Sequence, residues 1–209
     1  TSFPTIDTSS GTNFSYAWQN CSKLTSFPLL NTSNGTSFST AWEGCTSLTS
    51  FPLIDTSSGT NFAAAWKACS GLTSFPLLNT SNGTSFNNAW SFCGRLTSFP
   101  LLNTSNGTSF NSAWYGCTSL VDFPANMFDT TGTLASNAFT TAWYNCALTA
   151  QSIENILVSL DTNGQSNIKL DIQGGTNAAK STWTAAANTA YTNLINKGWT
   201  ITFNLNHHD

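Results

Sequence analysis

The stretch T-S-F-P-L-L-N-T-S-N-G-T-S-F-S-T-A-W-E-G-C-T-S-L, Thr25 to Leu48, decides the fold, because the chain repeats it on both sides. Five copies start at Thr1, Thr25, Thr49, Thr73 and Thr97 with no insertion or deletion. A sixth, Val121 to Leu148, carries five extra residues between Pro124 and Trp143. A fixed period of 24 residues requires equivalent positions to stack in register on neighbouring coils. The expected architecture is an elongated α/β repeat, a right-handed parallel solenoid: six coils over residues 1–148, then C-terminal capping units over 149–209 that continue it. Function is then to be sought on a surface and not in a pocket.

Within one coil, Phe38, Trp42 and Cys45 fall at i, i+4 and i+7 with Ala41 beside them, which predicts a short helical turn facing inward. The following run, Leu48 to Ile54, is apolar at regular intervals and predicts a strand, closed at Pro52 because proline has no N–H to donate. Asn31 to Thr36 supplies the return, with Asn31 closing an Asx turn and Gly35 free to take a positive φ.

Taken together, Ala41, Trp42, Cys45, Leu48, Phe51 and Pro52 spell A-W-x-x-C-x-x-L-x-x-F-P, which resembles the A-F-x-x-C-x-x-L-x-x-I-x-[IL]-P signature of BspA-type leucine-rich repeats, a family of bacterial, phage and protist surface proteins. Trp in place of Phe, Phe in place of the strand Ile, and a return loop rich in Ser, Thr and Asn depart from that signature. The resemblance implies a leucine-rich-repeat solenoid, and functions in adhesion, partner binding or virion attachment.

The remaining residues predict a cap. Ile153, Ile156, Leu157 and Leu160 keep helical spacing behind an N-cap at Thr149, and Asp161 to Gly164 turns the chain into an alternating strand, Ile168, Leu170, Ile172. A second, longer helix follows, with Trp183, Ala187, Tyr191, Leu194 and Ile195 inward and Gly198 at its C′ position. Trp199, Ile201, Phe203 and Leu205 alternate as a final strand. The wording S-I-E-N-I-L-V-S-L-D-T-N-G and G-W-T-I-T-F-N resembles C-terminal segments of phage-encoded repeat proteins, tail-fibre-like proteins among them, which implies a virion component.

Composition narrows the function classes. Charged residues are 7% of the chain, against about 25% in ordinary soluble proteins; the surface is one of hydroxyls and amides. A formal charge of -3 with no basic cluster argues against nucleic acid as a partner, and no apolar run approaches the roughly 20 residues of a bilayer span. Thr1 enters the repeat without an initiator Met, which predicts a piece of a longer protein. Cys21, Cys45, Cys69, Cys93, Cys117 and Cys146 hold one repeat position, the pattern of small buried apolar residues; coils about 4.8 Å apart would also let vertical neighbours form disulfides. No Cys or His spacing offers a metal site, and no cofactor is expected. The histidines, His207 and His208, stand at the extreme C-terminus, so no nucleophile–base constellation can be built on them. Asp7 and Asp55, two coils apart, would be about 9.6 Å from each other, near the outer limit for an inverting glycosidase pair, and no other acid joins them. The chain is expected not to be an enzyme.

Comparison of the copies separates fixed from free positions. The free ones follow the loop Phe, the Trp and the Cys, and hold Tyr16, Lys23, Glu43, Lys67, Phe92, Arg95 and Tyr115; aromatic and arginine side chains among them are typical interface anchors. The fixed polar positions form two expected threonine rows, Thr8, Thr32, Thr56, Thr80, Thr104 and Thr12, Thr36, Thr60, Thr84, Thr108, suited to a repetitive ligand such as a glycan or ice, although turn chemistry accounts for the same residues. The combined reading is a non-enzymatic structural or receptor-contacting module of a phage tail fibre or virion appendage, with a bacterial cell-surface adhesin as the alternative and an ice-binding protein as a third. Its expected partners are a host receptor or glycan, or other virion proteins, outside the cell. The uncovered first coil adds an expectation of end-to-end self-association through Phe3, Ile6, Phe14 and Trp18.

Overall fold

The computed structural model describes residues 2–205. Thr1, His207 and His208 lie outside the described residues. Residues 24 apart lie against one another: Asn13, Ser37, Asn61, Ser85 and Ser109 form successive parallel bridges. From this row onward, every second backbone N–H leaves its own repeat. Phe14, Tyr16, Trp18 and Asn20 donate to the carbonyls of Ser37, Ser39, Ala41 and Glu43 at 2.8, 3.0, 2.8 and 2.7 Å. The intervening groups turn inward, Ala17 to Phe14 and Gln19 to Tyr16, at 3.2 Å each.

This alternation replaces the expected helical turn. An α-helix returns every interior N–H to its own segment. Here the chain enters the left-handed region twice per repeat, at Tyr16, Thr40, Ala64, Asn88, Ser112 and Thr141, and again at Asn20, Gly44, Ala68, Phe92, Gly116 and Asn145, with φ between 52° and 74°. Those reversals swing alternate N–H groups toward the neighbouring repeat. Nor is the expected strand around Phe51 a strand. Among the described residues only Ser2 with Ser26 and Ser98 with Asp122 bridge there, because after each proline the chain bends: Leu30, Ile54, Leu78 and Leu102 donate to the carbonyl two residues back, on Pro28, Pro52, Pro76 and Pro100, at 2.9 to 3.0 Å.

The core is built of rows. Trp18, Trp42, Trp66, Trp90, Trp114 and Trp143 stack at 4.9 to 5.7 Å between centroids and within 11° of parallel. Phe27, Phe51, Phe75, Phe99 and Phe123 form a second stack, edge-on to the first. Cys45, Cys69, Cys93, Cys117 and Cys146 are buried free thiols whose Sγ donates to the tryptophan carbonyl of the preceding repeat at 3.1 to 3.2 Å; Cys21 is free and exposed. Burial pushes the thiols of Cys93 and Cys146 far up and that of Cys117 to about 12. These thiols serve as core atoms.

Gly35 is required for space and not for a positive φ. A Cβ there would stand 2.6 Å from Phe38 Cζ and 2.8 Å from the Phe14 ring, so the glycine lets the loop close over the stacked rings of Phe14 and Phe38.

The cap comprises α1 (Ala150–Asn163), β1 (Lys169–Ile172), a short 3-10 turn (Lys180–Thr182), α2 (Ala185–Asn196) and β2 (Thr200–Phe203). Thr149 caps α1 by accepting from Ser152 N–H, and Gly164 ends it at φ 81°. The second helix is the shorter one, 12 residues against 14: Trp183 lies before it and Ile195 is exposed. β1 and β2 pair in parallel, and Phe139 bridges Leu170, so the two strands continue the inter-repeat ladder. Trp143 and Asn145 donate to Asp171 and Gln173, and Trp199 stacks on Phe139 at 6.4 Å, closing the aromatic rows.

Candidate contact surfaces

The position after each tryptophan is a column with two halves. In the first three repeats it is polar: Gln19 Nε2 donates to Glu43 Oε2 at 2.8 Å, and Lys67 Nζ pairs with Glu43 Oε1 at 2.9 Å. Burial opposes ionisation of Glu43, yet the Lys67 ammonium and the Gln19 amide hold its carboxyl below the usual range. At repeat four the column falls to Ser91, which is buried with no partner for its hydroxyl. It then becomes aromatic. Tyr115 stacks on Tyr144 at 5.4 Å and 8°, and Phe92 stands edge-on to Tyr115 at 5.1 Å.

Phe92 is the unusual member. It is 48% exposed and sits at φ 61°, where its counterparts are Asn20, Gly44, Ala68, Gly116 and Asn145. A bulky residue in the left-handed region is disfavoured by roughly 1–2 kcal/mol, and such strain tends to gather at functional sites. Gly116 leaves the room that Phe92 occupies: a Cβ there would meet the ring at 3.0 Å.

The structure thus brings Phe92 and Tyr115 together, joins Glu43 to Lys67, and leaves Tyr16, Lys23 and Arg95 exposed elsewhere along the variable positions. Tyr144 is a member that sequence comparison missed, because the lengthened sixth repeat shifts it out of the 24-residue count; the pair Trp143-Tyr144 echoes Trp114-Tyr115.

The threonine rows part company. Thr32, Thr56, Thr80 and Thr104 are buried and Thr8 half-buried. The hydroxyls of the first four in chain order donate to the carbonyls of Asn31, Asp55, Asn79 and Asn103 at 2.6 to 2.7 Å, and Thr104 to that of Met127. The hydroxyls of this row thus tie each repeat to the next. Thr12, Thr36, Thr60, Thr84 and Thr108 are exposed, and from Thr36 onward each hydroxyl donates to the preceding threonine carbonyl at 3.0 to 3.1 Å. Asp7 and Asp55 accept from the hydroxyls and N–H groups of Ser9 and Ser57, which hold both carboxyls below their ordinary value.

Another row went unread in the sequence. Because the post-proline bend turns one residue outward, Leu29, Leu53, Leu77 and Leu101 are 69, 63, 63 and 50% exposed. The same position holds Thr5 in the first repeat and Ala125 in the sixth, which conceals the row, although four leucines in succession are its signal.

Among the described residues no group of His, Cys, Asp and Glu is placed to hold a metal ion, and no helix is long and apolar enough to cross a membrane. No family model matches the chain, and neither does any curated protein or solved structure.

Proposed function

We propose that the chain is a non-enzymatic, right-handed leucine-rich-repeat solenoid of the BspA type that contacts a receptor or glycan on a host surface as part of a phage tail fibre or virion appendage. The inter-repeat hydrogen bonds, which recur every 24 residues, and the continuous ring rows support the solenoid reading. The observation that carries the contact role is Phe92, an exposed ring held in a left-handed conformation against Tyr115. Phenylalanine is the one large side chain at this position, which holds asparagine, glycine or alanine in the other repeats. Aromatic anchors are the residues that contribute most at interfaces, and a polar column beside them supplies orientation.

The test separates stability from binding. Phe92→Asn copies the residue at Asn20 and Asn145, so the variant should be as stable as the parent or up to about 1 kcal/mol more stable. Its binding to whole bacterial cells and to an array of bacterial surface glycans should fall at least tenfold. Undiminished binding by Phe92→Asn, with Tyr115→Ala also silent, would remove this face from consideration. Capture by cells of other species alone, with no bacterial binding, would favour the adhesin reading.

The first repeat has a defined polarity. The carbonyls of Ser37, Ser39, Ala41 and Glu43 accept from repeat one, while their counterparts on Asn13, Ser15, Ala17 and Gln19 accept from no described residue. A head-to-head second copy would set carbonyl against carbonyl. A repeat of the same kind stacked there would donate N–H groups to these carbonyls.

A further inference from the structure

The exposed leucines form a ridge with a definite beginning and end. Leu29, Leu53, Leu77 and Leu101 occupy one position in repeats two to five, while the same position holds Thr5 in repeat one and Ala125 in repeat six. Each leucine follows a half-buried proline, and the bend that closes on the proline carbonyl fixes its direction. Four large apolar side chains in line, on a protein whose charged fraction is 7%, leave an apolar stripe that soluble monomers rarely carry without use.

We infer that this ridge is a homodimer interface, in which a second copy lies antiparallel across it about a two-fold axis between repeats three and four. The partner has to offer apolar groups at the spacing of the repeats, and a second ridge has that spacing by construction. The two-fold pairs Leu29 with Leu101 and Leu53 with Leu77 of the other copy, each pair twice, as an isologous contact requires. Charge agrees with this register. Across residues 25–31, 49–55, 73–79 and 97–103, the segments that carry and flank the ridge, the single ionisable side chain is Asp55, and its counterparts are Asn31, Asn79 and Asn103. The antiparallel arrangement sets Asp55 of one copy opposite Asn79 of the other, a carboxylate facing an amide, and keeps the two carboxylates apart. The flanking Thr25, Ser26, Thr49 and Ser50, with their equivalents, are exposed and supply the polar rim around an apolar centre.

Sedimentation equilibrium of the chain is expected to give twice the 22.3 kDa of one copy. Leu53→Lys and Leu77→Glu, both at exposed positions where the fold does not need the leucine, should each sediment as a monomer with an unchanged circular dichroism spectrum. Mixed in equal amounts they should recover the dimer, because the introduced ammonium of one variant then faces the introduced carboxylate of the other while the second central pair remains leucine on leucine. A parent chain that stays monomeric up to millimolar concentration overturns the inference, and so does a dimer that survives Leu53→Lys unweakened. Recovery on mixing Leu53→Lys with Leu53→Glu, and not with Leu77→Glu, would mean a parallel pairing and overturn the two-fold proposed.

Discussion

At the scale of single residues, the tryptophan row sets two contributions against each other. Trp90 is 1% exposed and stacked between Trp66 and Trp114 at 5.7 and 5.4 Å, so truncation to alanine should cost about 3–5 kcal/mol, as for other large aromatic core deletions. Its indole N–H, like those of Trp42, Trp66, Trp114 and Trp143, is buried without a hydrogen-bond acceptor. An orphaned donor of this kind costs roughly 1–3 kcal/mol. Trp90→Phe removes the orphan and keeps a ring in the stack, and urea titration should show it losing less than half of what Trp90→Ala loses. Equal losses would mean that the indole is worth its full volume and that its N–H is satisfied in solution.

At the scale of the turn and the element, the Asx turns give the chain an acid sensitivity that varies by repeat. Asp55 is held below its ordinary value by the Ser57 hydroxyl and N–H. A carboxyl depressed on folding adds stability that is fully present above its unfolded value of about 3.9, and the contribution disappears as pH falls through the lower folded value. Asn31 makes the same two bonds, at 3.2 and 2.8 Å to Ser33, without a proton to gain. Asp55→Asn should therefore leave the turn intact at neutral pH and reduce the fall in unfolding midpoint between neutral and acid solution. An unchanged acid limb would show that the carboxylate bonds contribute nothing net.

The elements also show what the sequence reveals and what it hides. The repeat boundaries and the identity of the Phe, Trp, Cys and Leu rows are legible because each recurs at one spacing, and the cap is legible where Ile168, Leu170 and Ile172 alternate. The paired left-handed reversals are not legible: Tyr, Thr, Ala, Asn and Ser occupy the first and Asn, Gly, Ala and Phe the second, so no glycine signature marks either. Their backbone is set by the bonds each repeat makes to the next, a tertiary demand that local residue preference does not encode. Gly35 misleads in the opposite sense, being fixed by the approach of Phe38 and Phe14 and not by its own torsion. Of the candidate site, Phe92 and Tyr115 were readable as departures from the repeat, whereas the leucine ridge was uniform and so passed for background.

Across the whole molecule, stability is distributed as neighbour-to-neighbour terms, each repeat bonded to the one before and the one after. Removal of residues 73–96 deletes one full period and lets Thr97 follow Leu72, so every ring row and every ladder bond finds an equivalent partner. That variant should fold and unfold cooperatively with a lower midpoint, as read by circular dichroism. Removal of residues 73–84, half a period, sets Phe and Trp rows out of register and should give a chain without a cooperative transition. A well-folded half-period deletion would show that the rows do not govern the stack.

The identity of residues 25–38, 73–86 and 97–110, letter for letter, gives this tolerance a meaning beyond the single molecule. Chains that differ by a whole unit would present every ring row with the neighbours it already has. Length is then a quantity that changes in steps of 24 residues at constant chemistry, each step adding or removing the same set of contacts, so that the chain carries a modular scale of its own.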